Sequence, residues 1–215
     1  MMQAIRILLA DDHEVVRSGL ARMLERHQDM QVVGEAVSGE QAYQLFTEMD
    51  PDVLIMDITM PGIGGLEALR RIRVRYSQAK VIMFSMHENA TLAVQAMSAG
   101  AMGYVSKSGD ANDLLDAIRQ VVLTGKSFLS ADMAQRIALQ SVSGSDDPTR
   151  RLTVREFEVF RLLAEGLMLE EIASRLNLGH KTVANYQTVL KHKLGFNSSV
   201  ELVRLAIKYN VINND

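Results

Sequence analysis

The feature that most limits the fold of this chain is a regular alternation of short apolar runs with helical patterns over its first 123 residues. Five runs typical of strands cover residues 5–9, 32–37, 53–56, 80–84 and 102–105. Each is followed by a stretch with apolar residues at helical spacing, and these stretches cover approximately residues 14–27, 38–46, 66–74, 90–99 and 110–123. Such alternation predicts an α/β fold in which helices cover both faces of a doubly wound, five-stranded parallel sheet.

Acidic residues directly follow two of these predicted strands. Residues 53–61, Val-Leu-Ile-Met-Asp-Ile-Thr-Met-Pro, are typical of a fully buried strand that ends at Asp57, and the pair Asp11–Asp12 follows the first strand. In the flavodoxin-like strand order 2-1-3-4-5, the first and third strands are neighbours, so the three carboxylates would meet at one edge of the sheet. A simpler interpretation of Asp57 alone is an aspartate that caps the next turn.

The chemistry of that edge follows from the groups that converge there. Three uncompensated carboxylates repel one another and raise one another's pKa values, and Mg²⁺ suits a site with few carboxylates and several waters. Ser85 and Lys107 follow the fourth and fifth strands and add a hydroxyl and a positive charge. A carboxylate nucleophile, a magnesium site, a hydroxyl and a lysine are the groups needed to move a phosphoryl group onto an aspartate.

Four motifs in the same order and spacing make a family resemblance specific. They are Leu-Ala-Asp-Asp ending at Asp12, Met-Asp-Ile-Thr-Met-Pro around Asp57, Phe-Ser ending at Ser85, and Gly-Tyr-Val-Ser-Lys ending at Lys107. Together they resemble the receiver domain of bacterial two-component response regulators, and the resemblance covers residues 4 to about 124. It implies that Asp57 is the phosphoacceptor and that Lys107 binds the phosphoryl group.

The same resemblance implies a metal site and a switch. Asp11 and Asp12 match the Mg²⁺ ligands, together with Asp57 and the backbone carbonyl of Thr59. Ser85 matches the switch hydroxyl, which a new dianion attracts, and Tyr104 matches the aromatic residue that follows it inward. Tyr104 is also consistent with an ordinary half-buried tyrosine in a strand. His87 is interpreted as a solvent-facing loop histidine.

The uneven distribution of charge supports a second module. The net charge is −5 over residues 1–125, −1 over residues 126–148 and +3 over residues 149–215. A basic module is a candidate for binding a polyanion, although a solvated surface carries +3 as readily. Residues 141–148 are small and polar, which favours a linker. We therefore predict a receiver domain at 1–124, a connector with one short helix at 125–148 and a smaller, all-α domain at 149–215.

Composition also bears on the compartment. The chain has no cysteine, so it has neither a disulfide framework nor a thiolate metal site. No apolar run approaches the roughly 18 residues of a membrane span, and the N-terminus lacks a basic flank followed by a long apolar region. We therefore expect a soluble cytoplasmic protein with no membrane partner.

The C-terminal module contains four helical patterns with clear start signals. Thr153 and Glu156 form a capping box ahead of the first pattern. A short pattern at residues 170–176 precedes a turn that contains glycine, a third pattern covers residues 180–194, and Ser198 begins a fourth. Two helices joined by a tight turn predict a helix-turn-helix, whose second helix enters the major groove of DNA.

The third of these helices has one apolar and one polar face. Its inward residues are Val183, Tyr186, Leu190 and Leu194. Lysines suit phosphate contacts, whereas asparagine and threonine can reach base edges. An ordinary solvated helix has the same charge pattern. The residues predicted to contact DNA are Lys181, Thr182, Ala184, Asn185, Thr188, Lys191 and His192.

Further motifs resemble a DNA-binding family. Leu-Thr-x-Arg-Glu ending at Glu156, Glu-Ile-Ala ending at Ala173, Lys-Thr-Val ending at Val183 and Lys-Leu-Gly ending at Gly195 resemble the LuxR-type domain over residues 151 to about 212. With a receiver, this domain is typical of the NarL/FixJ family of response regulators. The resemblance implies phosphorylation by a histidine kinase, a homodimer in the active state and regulated binding to promoter DNA.

Departures from the family pattern keep alternatives open. Glu170, Ala184 and Ser199 occupy positions where the family often has lysine or arginine, and fewer cations mean fewer phosphate contacts. One alternative is a DNA-binding protein that does not depend on phosphorylation, and another is a signalling adaptor that acts through protein contacts. A metabolic enzyme is not expected, because a receiver assists only its own phosphoryl transfer and dephosphorylation.

Overall fold

The computed structural model describes residues 4–86, 89–142, 147–209 and 211–212. His87 and linker residues 143–146 lie outside the described residues. The chain divides into two compact units, Met1–Ser141 and Val142–Asp215. This division falls inside the predicted connector, and each unit is described by itself.

The first unit alternates strands and helices along the chain. Its strands are β1 (Ile5–Ala10), β2 (Met30–Ala36), β3 (Val53–Met56), β4 (Val81–Ser85), β5 (Gly103–Ser106) and β6 (Phe128–Leu129). Its helices are α1 (Glu14–Leu24), α2 (Gly39–Met49), α3 (Gly64–Arg75), α4 (Ala90–Ser98), α5 (Ala111–Arg119) and α6 (Ala131–Val142), the last of which ends at the boundary between the units. A π-helical turn, Gln120–Thr124, extends α5.

All the strands are parallel, and their order in the sheet is β2-β1-β3-β4-β5-β6. The doubly wound parallel sheet and the order 2-1-3-4-5 are therefore confirmed. A sixth strand, β6, was not predicted. It contributes only two residues beside β5, at Gly103↔Phe128 and Tyr104↔Leu129. A strand this short has no periodicity to detect, and it exists because its backbone pairs with an otherwise open edge.

Burial on both faces of the sheet explains why the central strands lack alternating apolar and polar residues. All four residues of β3 are buried, since helices cover both faces of the sheet. Val53 and Ile55 belong to one cluster with Leu24 of α1 and Ile118 of α5. Each fully buried side chain of this size stabilises the fold by roughly 1.5–3 kcal/mol. The chain after β3 is thereby held against a rigid layer.

A close backbone approach places α3 directly behind the end of β3. A Cβ atom added at Gly65 would lie 1.9 Å from the backbone carbonyl oxygen of Asp57. Only glycine fits at such a distance, because a methyl group would overlap the carbonyl completely. The N–H of Gly65 donates to the carbonyl of Ile58 at 3.1 Å. The start of α3 thus fixes the backbone on which Asp57 is presented.

The second unit consists of short helices. A 3₁₀ turn, Pro148–Arg151, precedes α7 (Val154–Ala164), α8 (Leu169–Arg175), α9 (His180–Leu194) and α10 (Ser199–Lys208). The four predicted helices are therefore present, and α8 and α9 are joined by a turn that contains Gly179. At the other end of α9, Gly195 adopts a φ of 73°, the left-handed conformation that ends many helices.

A partly buried ion pair joins the start of α7 to the end of α9. The predicted capping box is present, with Thr153 N donating to Glu156 Oε2 at 2.7 Å and Glu156 N donating to Thr153 Oγ1 at 3.3 Å. Lys193 Nζ donates to both carboxylate oxygens of Glu156, at 2.8 and 2.7 Å. One carboxylate thus caps one helix and anchors another, which sets the angle at which α9 is displayed.

The glycine contact behind Asp57 gives a direct prediction for stability. We expect Gly65→Ala to lower the free energy of unfolding by about 3 kcal/mol or more, because overpacking against backbone cannot relax by a side-chain rotation. Urea denaturation followed by circular dichroism measures this. Gly19→Ala is the matched control: Gly19 lies exposed inside α1 with no atom within 4 Å of the added Cβ. It should stabilise the protein by roughly 0.5–1 kcal/mol. Equal effects of the two substitutions would contradict the close approach.

Candidate acidic site and nucleic-acid interface

Two buried carboxylates lie side by side at the carboxyl edge of the sheet. Asp11 and Asp57 are only 2% and 4% exposed, and they directly follow the paired strands β1 and β3. Asp57 N donates to the carbonyl of Ala10 at 2.8 Å, so the strand ladder itself sets their spacing. Asp12, whose side chain is about one third exposed, completes the predicted acidic cluster. The three predicted carboxylates therefore converge.

Lys107 brings its ammonium group between the two buried carboxylates. Its Nζ lies 2.7 Å from Asp57 Oδ2 and 2.6 Å from Asp11 Oδ2, and its side chain is only 4% exposed. The backbone holds this lysine in place, because Lys107 N donates to the carbonyl of Ser85 at 2.8 Å. The lysine after β5 therefore reaches across to the ends of β1 and β3, as predicted.

Burial leaves the negative charge of the Asp57 carboxylate only partly compensated. Desolvation raises the pKa of Asp57 from 3.8 to about 6; the charge of Lys107 and its hydrogen bond oppose this, and the negative charge of Asp11 adds to it. Thr59 N donates to Asp57 Oδ1 at 3.3 Å, which favours the ionised form slightly. The site thus has more negative charge than one lysine neutralises.

The acidic cluster has the composition of a magnesium site. Asp11, Asp12, His13 and Asp57 each place one donor atom within 4.8 Å of the others. Asp11 Oδ2 is buried 2.6 Å from Lys107 Nζ, the one ammonium group that Asp11 and Asp57 share. Three carboxylates beside one ammonium group leave negative charge that a hard divalent cation would neutralise. The residues present therefore fit Mg²⁺, with three carboxylates as oxygen ligands.

Ser85 and Tyr104, the two residues of the predicted switch, lie in the neighbouring strands β4 and β5. Ser85 ends β4 and is fully buried, and its register partner in β5 is Ser106. Tyr104 is also fully buried and pairs with Met83. Complete burial differs from the half-buried strand tyrosine considered as an alternative. The switch roles of both residues, and the use of the Thr59 carbonyl as a ligand, stay predictions.

One member of the site was not predicted. His13 Nδ1 lies 3.1 Å from Asp12 Oδ1 and 3.3 Å from Asp11 Oδ1. The histidine precedes α1 and its side chain is 65% exposed. Its position directly after Asp11–Asp12 was the available signal, but sequence adjacency does not tell whether a loop side chain turns toward a site or away from it.

Helix α9 presents the polar face that was predicted. Six of the seven residues assigned to DNA contact are exposed, and Ala184 alone is half-buried. Val183, Leu190 and Leu194 are buried on the opposite face, and Tyr186 is half-buried. The helix contains no acidic residue, and its last turn carries Lys191, His192 and Lys193. Such a face suits a polyanion, although its individual DNA contacts stay predictions.

An exposed acidic side chain lies close to the start of α9. Glu170, at one of the positions that departs from the family pattern, is exposed near the start of α9, where its Oε1 lies 3.9 Å from His180 Nε2. This carboxylate lowers the positive potential at that end of the helix.

Within the described part of the chain, no helix combines the length and the apolar character needed to cross a membrane.

Two family models match the sequence. The model described as "Response regulator receiver domain" matches residues 7–119, and the model described as "Bacterial regulatory proteins, luxR family" matches residues 150–206. Together they account for most of the chain. The first match contains the acidic site and Lys107, and the second contains α7, α8 and α9.

Curated relatives align with the chain along nearly its full length. Response regulator UvrY of Escherichia coli (strain K12) is 39% identical over 211 residues, which are 97% of this chain and 96% of UvrY. Response regulator GacA of Pseudomonas aeruginosa is 37% identical over 97% of this chain and 98% of GacA. Transcriptional activator protein ExaE of Pseudomonas putida is 43% identical over 96% of this chain and 97% of ExaE.

Solved structures support the same architecture. RcsB of Salmonella enterica serovar Typhimurium, bound to promoter DNA in the presence of the phosphomimetic BeF₃⁻, is 28% identical, with a TM-score of 0.65 over 94% of this chain and 98% of RcsB. A LuxR-family two-component response regulator from Aurantimonas sp. SI85-9A1 is 43% identical, with a TM-score of 0.63 over 65% of this chain and 99% of its own. With both domain models matched and relatives aligned from end to end, the chain belongs to the NarL/FixJ family of two-component response regulators, in which a receiver domain is joined to a LuxR-type helix-turn-helix domain that regulates transcription.

Proposed function

We propose that a histidine kinase phosphorylates this regulator on Asp57, that Mg²⁺ is required, and that the phosphorylated protein binds promoter DNA as a homodimer in the cytoplasm. The observation that carries the proposal is the buried contact of Lys107 Nζ with Asp57 Oδ2 and Asp11 Oδ2, at 2.7 and 2.6 Å. An ammonium group fixed against a partly compensated nucleophile is an arrangement suited to receiving a phosphoryl group.

The chemical step exchanges one bond to phosphorus for another. A carboxylate oxygen of Asp57 attacks the phosphoryl group of the kinase phosphohistidine, a P–O bond forms, and the P–N bond to the kinase imidazole breaks. Lys107 stays in contact with Asp57 and stabilises the charge on the phosphoryl oxygens. Asp11, Asp12, Asp57 and the carbonyl of Thr59 would hold Mg²⁺, which supplies further charge neutralisation when bound. The chain assists only this transfer and the later hydrolysis, so we do not propose a metabolic enzyme.

The switch follows from the new charge at Asp57. A phosphoryl group brings three strong acceptor oxygens to the end of β3, and the hydroxyl of Ser85 lies at the end of the neighbouring strand β4. We propose that Ser85 donates to the phosphoryl group and that Tyr104, one strand further, responds by repacking. A local gain of charge would thus reshape the surface around β4 and β5.

The DNA-binding step is supported by relatives. RcsB has been solved bound to promoter DNA in the presence of BeF₃⁻, and a further structure contains two RcsB dimers on two parallel DNAs. For this chain we propose that two copies of α9 enter successive major grooves, about 34 Å apart. A phosphorylation-independent DNA-binding protein stays an alternative, and the assembled acidic site with Lys107 argues against it. A protein-binding adaptor is a further candidate, favoured by exposed Glu170.

Phosphorylation of Asp57 can be tested without the kinase. Incubation with Mg²⁺ and a small-molecule phosphodonor should add the mass of one phosphoryl group to the wild type, as an acid-labile adduct, and Asp57→Asn should acquire none because the amide is not a nucleophile. Asp50→Asn is the matched control, since Asp50 is exposed and its φ of 46° is well tolerated by asparagine. It should be modified like the wild type. An acid-labile adduct on Asp57→Asn would place the phosphoacceptor elsewhere.

Phosphorylation-gated DNA binding can be tested by selecting genomic DNA fragments with purified protein and Mg²⁺, with and without BeF₃⁻. We expect paired half-sites to be enriched only with BeF₃⁻. Equal enrichment in both arms would favour the phosphorylation-independent DNA-binding protein. No enrichment in either arm would favour the adaptor.

The salt dependence of DNA affinity tests the role of the polar face of α9. On a selected fragment, Lys191→Ala should weaken binding on all sequences alike and reduce the slope of log affinity against log salt by about 1. Asn185→Ala should instead cost about 1–3 kcal/mol on the selected site and little on other DNA. Fluorescence anisotropy over a series of salt concentrations measures both. Lys126→Ala, an exposed lysine of the first unit, is the control and should leave the slope unchanged.

A further inference from the structure

The imidazole of His13 contacts different carboxylate oxygens of the acidic site from those that the lysine contacts. Lys107 Nζ contacts the Oδ2 atoms of Asp11 and Asp57. His13 Nδ1 contacts the Oδ1 atoms of Asp11 and Asp12, at 3.3 and 3.1 Å. The buried ammonium and the exposed ring therefore contact different oxygens of Asp11, and each contacts one further carboxylate.

The backbone holds His13 beside these carboxylates. Its N–H donates to Asp11 Oδ1 at 2.9 Å, and its carbonyl accepts a hydrogen bond from Arg17 N at 3.0 Å as the first turn of α1 begins. The side chain itself caps nothing in the helix. The main chain therefore positions the ring beside the carboxylates, and within the described part of the chain Nδ1 contacts Asp11 and Asp12.

The donor atoms lie close to the separation that one cation needs. One atom each from Asp11, Asp12, His13 and Asp57 lies within 4.8 Å of the others. Ligands bound at ~2.1 Å on opposite sides of an ion are ~4.2 Å apart, so the four atoms need to close by about half an ångström. His13, with a side chain that is 65% exposed, has room for this movement, whereas the buried carboxylates do not. Lys107 supplies only one positive charge to these carboxylates, so negative charge remains for an ion to neutralise.

We propose that His13 is a nitrogen ligand of this site and that it shifts the preference of the site from Mg²⁺ toward divalent transition metals. The proposal rests on the cation site of the proposed function and adds one ligand to it. Mg²⁺ binds oxygen donors and rarely imidazole, so it uses the carboxylates alone. Ions later in the first transition series accept imidazole and gain affinity from it. The regulator therefore discriminates between metals at its phosphorylation site.

Co²⁺ is the appropriate probe because it resembles Mg²⁺ in size and in its octahedral geometry but accepts nitrogen ligands. Isothermal titration calorimetry with each ion should give a Co²⁺ affinity that falls at least tenfold in His13→Ala, while the Mg²⁺ affinity changes less than twofold. His27→Ala, which removes a histidine before β2 at the other end of the sheet, should leave both affinities unchanged. The unchanged Mg²⁺ affinity also verifies that the variant is folded.

A spectroscopic readout identifies the nitrogen directly. The Co²⁺ complex of the wild type should give a paramagnetically shifted imidazole N–H proton resonance that is absent from His13→Ala and from His13→Asn, the variant that keeps a good helix cap. Absence of this resonance from the wild type, or an equal loss of Mg²⁺ and Co²⁺ affinity in His13→Ala, would overturn the assignment of His13 alone. If the wild type binds neither ion, the cation site of the proposed function fails as well.

Discussion

Two buried carboxylates share one buried ammonium group, and the receiver unit depends on keeping these three groups in contact. Lys107 lies between Asp11 and Asp57 with all three side chains almost inaccessible to water. The pKa of Asp57 is raised to about 6 because desolvation outweighs the attraction of Lys107. Since this folded-state pKa lies above the ordinary value of 3.8, the protonated group favours the folded state at low pH, and that contribution is lost as pH rises through about 6. At neutral pH the ionised site is therefore a local cost to stability.

The unfavourable ionisation of Asp57 is also what lets the site respond to a cation or to a phosphoryl group. A cluster with excess negative charge gains free energy from any cation that enters it, and a carboxylate that burial leaves partly compensated keeps the basicity that a nucleophile needs. The scaffold prevents the charges from simply separating. Strand pairing holds Asp57 N on the carbonyl of Ala10, and the backbone at Gly65 closes against the carbonyl of Asp57. Buried apolar strands on both sides make this arrangement stiff.

The sequence predicted the parts of the fold and site that depend on strand ends. Alternating apolar runs predict a parallel sheet, and in a parallel sheet the residues after β1, β3 and β5 lie at one edge. Asp11 and Asp57 were therefore predictable as neighbours, with Lys107 within reach of both through its long side chain. The short strand β6 was not, because two residues carry no period and its pairing depends on a neighbour distant in the chain. The approach of His13 was missed for a related reason. Its ring direction depends on loop torsion angles that no residue pattern encodes, whereas α9, with a full helical period, was predicted together with both its faces.

Under the proposed function, the modest charge of α9 lets dimerisation of the receiver control DNA binding. Few lysines on each recognition helix mean few displaced counterions, so a single copy would bind DNA weakly and a paired copy far more strongly. Once one helix is bound, the second is present at a high effective concentration, and the combined affinity exceeds either by orders of magnitude. Under the proposed function, phosphorylation then needs only to favour receiver dimers. A stronger cationic face, with lysine at the positions of Glu170 and Ala184, would bind as a monomer and lose that dependence, so the departures from the family pattern favour regulation over affinity.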